Sequence, residues 1–274
     1  MSDISVFLDE IIESAAARER ILCSAEKFPE AKMLACRIAA GEELIPERGL
    51  MQLLVFAHLS GFALERFLSL GVPRDIAIGT LRDINVWINN YASVSDGEIG
   101  VSEFDWLKLH YRAELFRIGR LQFRAVKPSF PTPTEKPFVI ETHIPEGEPL
   151  SYEACLESFS SAEKFFSEIF PECRWDLFVC DSWLLNPALE KLLPEVSNIV
   201  RFMKLWTPTP FEPDFSAQAI ERVFGFGKTR AELESLPAKT RLARELKKYL
   251  LSGGELNITA GYRKRGEGSP SSKA

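Results

Sequence analysis

The sequence predicts an α+β protein in two parts: a helical N-terminal region over residues 1–112, then a mixed α/β region over residues 113–265. Two observations carry this. Apolar residues recur three and four positions apart through the first hundred residues, the period of helices with one buried face. From Leu115 the period changes, so that Leu121, Phe123 and Ala125 alternate with Gln122 and Arg124 as in a strand. Beyond that point strand and helix patterns take turns, and the predicted sheet must be covered by its helices.

In the first region Ser2 or Asp3 is the expected N-cap of an opening helix with Val6, Ile11 and Ala15 on one side. Pro46 is expected to open a stronger helix. Its Leu50, Leu54, Ala57, Gly61, Leu64 and Leu68 are spaced alternately four and three apart. Gly71 and Pro73 close it and open the next helix, which carries Leu81, Ile84 and Ile88. His58 sits in this apolar stretch without a second ligand at metal-binding spacing and reads as a core residue. After the turn at 93–100, a short helix holds Trp106, Leu107 and His110.

In the second region Lys127 to Pro137 contains too many prolines to be helical and reads as a loop between neighbouring strands. Phe138 to Ile144 is the next strand. Ser151 caps a long helix reaching Phe170, with Cys155, Phe159, Ala162, Phe166 and Ile169 on its buried stripe and Pro171 stopping it. Trp175 to Cys180 is the short apolar run of a central strand. Asn186 and Pro187 open a brief helix. Ile199 to Trp206 and Ala217 to Phe224 read as strands, Pro237 starts a final helix, and Leu256 to Tyr262 reads as an edge strand before a disordered tail at 266–274.

Composition narrows the function classes. A formal charge of -6 opposes nucleic-acid binding, which needs many phosphates neutralised by Lys and Arg. The basic clusters Arg241, Arg244, Lys247, Lys248 and Arg263, Lys264, Arg265 read as a solvated helix face and a polar tail. Five cysteines without a C-x-x-C give neither a disulfide framework nor a metal site, and a reducing compartment fits them. The opening MSDISVFLDE is no secretory signal, and the longest uncharged run, Gly49 to Leu64, is too short to span a bilayer. The expected location is the cytoplasm, with no membrane partner.

Three segments, LFRIGRLQF at 115–123, ETHIPEGEPLS at 141–151 and CDSWLLNPALEKLLPEVSNIVRF at 180–202, resemble the GNAT-like C-terminal domain that follows an N-acyltransferase N-terminal domain in a bacterial acyltransferase family. RVFGFG at 222–227 and LPAKTRLARELKKYLLSGG at 236–254 extend the resemblance over about 110–265. It implies a GNAT-like fold with a central, mostly antiparallel sheet. It also implies acetyl-CoA or another acyl-CoA as co-substrate, no metal, and transfer of an acyl group to the amine of a small-molecule acceptor. In such a fold the pyrophosphate rests on backbone amides of the loop before the central helix, an anion site by geometry. By element order that loop is Ile144 to Ser151, with Gly147, Leu150 and Ser151 as binding positions. The loop departs from the ordinary Q/R-x-x-G-x-G/A pattern, because it holds only Gly147 and carries Glu146 and Glu148. An R-x-x-G-x-G does occur at Arg222, Gly225 and Gly227, but after the main strands.

Acyl transfer needs a base for the amine and a donor for the leaving thiolate or the oxyanion. Glu141 and His143 are the base candidates, on one face of a strand that enters the loop. Ser182 is the donor candidate, and Cys180 joins the cofactor-binding set at the end of the next central strand. Other readings stay open. Ser182 or Asn186 caps the helix that follows, Cys180 is an inert buried thiol or, with His143, a nucleophile, and Tyr152 packs or acts as an acid. A non-catalytic GNAT-like module that binds a metabolite or protein is the alternative function, favoured by the acidic loop.

Overall fold

The computed structural model describes residues 4–210 and 217–267. The chain divides into two compact units that meet between Arg117 and Ile118.

The first unit is helical. A single π-type turn, Phe7–Ile11, is followed by α1 (Ala15–Lys27), α2 (Glu30–Ala39), α3 (Leu50–Ser69), α4 (Arg74–Leu81), α5 (Ile84–Val94) and α6 (Phe104–Tyr111). Every residue of α3 from Gln52 to Ser60 is buried, as expected of a helix apolar on most of its circumference, and Phe7 meets Phe56 edge-on at 6.0 Å.

Three expectations for this unit are corrected. The opening helix stops at Ile11, and the Ser14 hydroxyl caps a new one by accepting the Ala17 N–H at 3.3 Å, so Ala15 belongs to a different helix from Val6 and Ile11. Ser2 and Asp3 lie outside the described residues. Pro46 does not open α3; its carbonyl accepts a hydrogen bond from the Gln52 side chain at 3.1 Å, and the helix begins at Leu50. The helix expected to carry Leu81, Ile84 and Ile88 is broken at Arg82 and Asp83 into α4 and α5. The break leaves Asp83 free to use its carboxylate as an acceptor for Trp87 Nε1 at 2.9 Å and Trp106 Nε1 at 3.1 Å.

In the second unit the elements are β2 (Leu121–Val126), β3 (Phe138–His143), α7 (Tyr152–Ile169), β4 (Trp175–Ser182), α8 (Ala188–Leu192), α9 (Asn198–Met203), β5 (Thr207–Pro208), α10 (Ala217–Phe224), α11 (Arg241–Leu251) and β6 (Thr259–Lys264), with β1 (Phe116–Ile118) at the boundary. The sheet order is β1-β2-β3-β4-β6-β5. Only the β3–β4 pair, joined by the crossover helix α7, is parallel among the registers described; β2–β3, β4–β6 and β5–β6 are antiparallel. The fold class is therefore α+β with a mostly antiparallel sheet, as the sequence predicts. Phe159 of α7 covers one face of this sheet, 5.8 Å from Phe123, 4.9 Å from Phe178 and 5.6 Å from Trp206. On the opposite face Phe130, from the proline-rich loop, packs with Val139, Leu177, Val179 and Ala260.

Corrections here have local causes. The predicted strand at Ile199 to Trp206 is helix α9, nucleated by Ser197, whose hydroxyl accepts the Val200 N–H at 3.3 Å. The predicted strand at Ala217 to Phe224 is helix α10, burying Ala219 and Ile220. The last helix begins at Arg241 rather than Pro237, because Thr240 supplies its cap by accepting the Ala243 N–H at 3.1 Å. The predicted edge strand begins at Thr259 and lies between β4 and β5, so it is interior. Of the tail expected at 266–274, residues 268–274 lie outside the described residues.

Candidate active site

The parallel strands β3 and β4 part company before they end. Their register runs Phe138 with Trp175, Ile140 with Phe178 and Glu141 with Val179, and stops. β3 continues to His143 while paired with β2, and β4 continues to Ser182 while paired with β6. A wedge therefore opens between Thr142–His143 and Cys180–Ser182, at the carboxyl ends of both parallel strands, where open α/β sheets take their ligands. Backbone groups along such a wedge lack the neighbouring strand as a hydrogen-bond partner and can serve a ligand instead.

On the sheet face away from α7, register and alternation gather Arg124, Glu141, His143 and Asp181 at the wedge. One Glu141 carboxylate oxygen accepts a hydrogen bond from His143 Nε2 at 2.9 Å and a second from Arg124 Nε. Burial acts to raise the pKa of Glu141, but the hydrogen bonds and charges of His143 and Arg124 outweigh it and hold the carboxyl down at about 2. An ionised carboxylate only accepts, so Nε2 carries the ring proton and Nδ1 is the nitrogen left with the lone pair in the neutral ring. The arrangement orients the His143 ring by a carboxylate on its Nε2 side. The Asp181 carboxyl is pushed up by partial burial and by the negative charge of Glu141, while its outer side stays exposed.

Ser182 and Cys180 point to the other face. The Ser182 hydroxyl accepts the Leu184 N–H at 3.2 Å and caps the single turn Trp183–Leu185, while Asn186 caps α8 through the Ala188 N–H at 3.0 Å. The capping reading is realised by Asn186 for α8, while Ser182 caps the turn before it. Cys180 is 1% exposed, and burial, with Asp181 and Glu141 acting in the same direction, pushes its thiol well above the ordinary range. Such a thiol is a poor nucleophile. Tyr152 lies under the Arg201 guanidinium, 4.3 Å from ring centroid to Cζ.

The loop from Ile144 to Ser151 joins the wedge to α7. Gly147 stands at its exposed tip with φ 117, Leu150 is buried, and Ser151 caps the 18-residue α7 by accepting the Ala154 N–H at 3.1 Å. What holds the loop is a residue that sequence reasoning missed. Arg120, 6% exposed, donates from Nη1 to the Pro145 carbonyl at 2.9 Å and from Nε to the Pro149 carbonyl at 3.2 Å, clasping both ends of the turn. Its own backbone N–H donates to Ser158 Oγ on α7 at 2.8 Å. The preceding Gly119 has φ 62, and a Cβ there would lie 2.6 Å from that same Ser158 Oγ, so the tight β1–β2 turn requires glycine. The pair Gly119-Arg120 lies inside LFRIGRLQF, and nothing in one sequence marks a buried arginine. Arg222, first residue of the R-x-x-G-x-G pattern, comes from α10 to within 3.6 Å of Glu146. It offsets one of the two acidic charges in the loop.

Among the described residues no group of three or more His, Cys, Asp or Glu side chains is arranged to hold a metal ion, and no helix is long and apolar enough to cross a membrane.

Comparison with solved structures finds this architecture elsewhere. A crystal structure of an acyltransferase in complex with decanoyl-CoA and teicoplanin is similar over 97% of this chain and 88% of its own, with 23% identity and a TM-score of 0.81. Similar structures of an acyltransferase with CoA and 10C-teicoplanin (23% identity, TM-score 0.79) and with decanoyl-CoA (24%, 0.78) each cover 94% of this chain and 86% of their own. No curated protein matches the sequence. Residues 4–113 match the N-acyltransferase N-terminal domain and residues 115–263 the GNAT-like C-terminal domain. With its two parts matched in this order, the chain belongs to the family that joins an N-acyltransferase N-terminal domain to a GNAT-like C-terminal domain.

Proposed function

We propose that the protein is an acyl-CoA-dependent N-acyltransferase, moving an acyl group from the thioester to the amine of a small-molecule acceptor in the cytoplasm. The observation that carries this reading is the wedge between β3 and β4 followed directly by a clasped loop and the amino end of a long helix. These parts fit two parts of an acyl-CoA, the pantetheine arm and the pyrophosphate. The strand edges that face the wedge at Thr142–His143 and Cys180–Ser182 suit the amides of the pantetheine arm. The loop Ile144–Ser151, with Gly147 at its tip, Leu150 and Ser151 at its end and the α7 dipole behind it, suits a pyrophosphate. Arg222 supplies a positive charge beside it. The similar structures hold decanoyl-CoA and teicoplanin, which supports a fatty acyl donor and an amine on a small molecule as the acceptor class.

In the reaction His143 Nδ1 accepts the proton that the amine loses as it attacks the thioester carbonyl. Glu141 keeps the ring in that tautomer and stabilises the imidazolium, and Arg124 keeps Glu141 ionised. Ser182, at the end of β4, is the candidate donor to the departing sulfur.

The reading is tested by thermal unfolding against CoA, acetyl-CoA, octanoyl-CoA and decanoyl-CoA. A ligand at about 100 times its dissociation constant adds roughly 2.7 kcal/mol. A rise selective for one acyl-CoA names the donor. No rise with any of them returns the chain to the alternative, a module that binds a metabolite or protein without acyl transfer. His143→Ala should then lower kcat for the best donor by about 10²–10⁴.

A further inference from the structure

The row of side chains at the mouth of the wedge includes one more polar group. Gln122 of β2 is the register partner of His143, so the two side chains stand on the same face of the sheet, directly opposite one another. The identity of that face is fixed by the next pairs along the strands: Arg124 reaches Glu141, and Val126 and Val139 share one apolar cluster. Gln122 is 1% exposed, and its Nε2 is buried without a hydrogen-bond partner. A buried amide donor left unmade costs roughly 1–3 kcal/mol. A leucine of similar volume would avoid that cost, so the polar group calls for a reason at a position beside the base candidate.

We propose that Gln122 is a catalytic residue, whose carboxamide N–H receives the carbonyl oxygen of the bound acyl thioester and the oxyanion it becomes. The proposal rests on the acyltransferase reading. The amine nitrogen forms a bond to the thioester carbon and the C=O electron pair moves onto oxygen, where the Gln122 N–H stabilises it. The amine proton goes to His143 Nδ1. The oxyanion then collapses, the C–S bond breaks, the sulfur leaves as thiolate and is protonated from solvent, and His143 returns its proton to solvent, giving an amide and free CoA thiol. The site needs a donor for the oxygen and an acceptor for the proton side by side. Gln122 and His143, as direct neighbours across β2 and β3, supply the pair from one face.

The measurement is made on full-length wild type and on Gln122→Leu and Gln122→Glu, which fill the same space without the amide donor. The donor found by the thermal scan is used, with its carbonyl carbon labelled with ¹³C. Expected results are a kcat lowered by about 10²–10³ in both variants, a KM for acyl-CoA within roughly threefold of wild type, and unfolding of Gln122→Leu at the wild-type temperature or above. The infrared carbonyl band of the bound thioester should be shifted to lower frequency in wild type and lose that shift in Gln122→Leu. Equal kcat and an equal carbonyl band in wild type and Gln122→Leu would overturn the assignment and leave the acyltransferase reading intact. A wild type that binds no acyl-CoA overturns both.

Discussion

Asp83 and His110 face one another in the helical unit, with His110 Nε2 3.2 Å from the Asp83 carboxylate. His110 is fully buried and the Asp83 side chain is 7% exposed. The same carboxylate oxygen takes the two indole N–H donors of Trp87 and Trp106. One acceptor thus ties the start of α5 to two positions on α6.

Replacing Asp83 by Asn weakens the acceptor and removes the charge opposite His110. Weakening the acceptor of a buried hydrogen-bond donor costs about 1–3 kcal/mol. Asp83→Asn should lower the unfolding temperature by several degrees, and wild-type stability in the variant would show that the cluster is not a structural anchor.

The same carboxyl gives the protein an acid limit. Burial acts to raise Asp83, but the His110 hydrogen bond and charge, with both indoles, win and hold it from an ordinary 3.8 down to about 2. A depressed carboxyl adds stability above its unfolded value and loses it as pH falls through the folded one. The contribution, on the order of 2 kcal/mol, is therefore present above pH 4 and fades toward pH 2. Glu141 acts in the same sense. The stability gap between wild type and Asp83→Asn, measured by denaturant titration, should narrow as pH drops from 5 to 2.

Arg120 should matter to the loop more than to the chemistry. A lysine keeps the charge but cannot grip the Pro145 and Pro149 carbonyls together. Losing about one net hydrogen bond's worth of order in the loop, near 1 kcal/mol, predicts a KM for acyl-CoA raised roughly five- to tenfold in Arg120→Lys with kcat little changed. A fall in kcat at constant KM would place Arg120 in the reaction instead.

Cysteine labelling separates the acyltransferase from a thiol enzyme. Cys23 and Cys36 are exposed, while Cys155 and Cys180 are buried, with thiols pushed up by burial, Cys155 to about 11. Iodoacetamide at pH 7.5 should modify the first two within minutes and leave Cys180 unlabelled with activity retained, as read by peptide mass spectrometry. Rapid labelling of Cys180 coupled to inactivation would revive the nucleophile reading.

Much of this fold is legible residue by residue. The helix around Leu54, Ala57 and Leu64 and the Ser151 cap of α7 fall where their patterns put them, whereas Leu68 at the end of the stripe is exposed and β2, a strand as predicted, buries Gln122 and exposes Ala125. The segment from Ile199 to Trp206 misleads because α9 spans only six residues, less than two turns, and its apolar Ile199, Val200, Phe202 and Met203 suit a buried strand equally well. Glu141 and His143 are readable as a pair because strand alternation is a local rule. Arg124 and Gln122 are not readable, because their meaning comes from the β2–β3 register, which crosses the proline-rich loop. Arg120 and Arg222 are further still from local inference, since each acts on carbonyls or charges that only the folded chain brings near.

The strand β4 is sheathed on its second side by β6, from Leu177 with Lys264 to Ser182 with Thr259. On the ribosome these two strands are made far apart in time. A nascent chain that ends before Thr259 presents Leu177, Phe178, Val179 and Cys180 along an open strand edge, which is the template for sticking to another copy. Emergence of the segment Thr259–Lys264 from the exit tunnel is then the moment at which this edge can be covered, and chaperone occupancy should drop there rather than when α7 is complete.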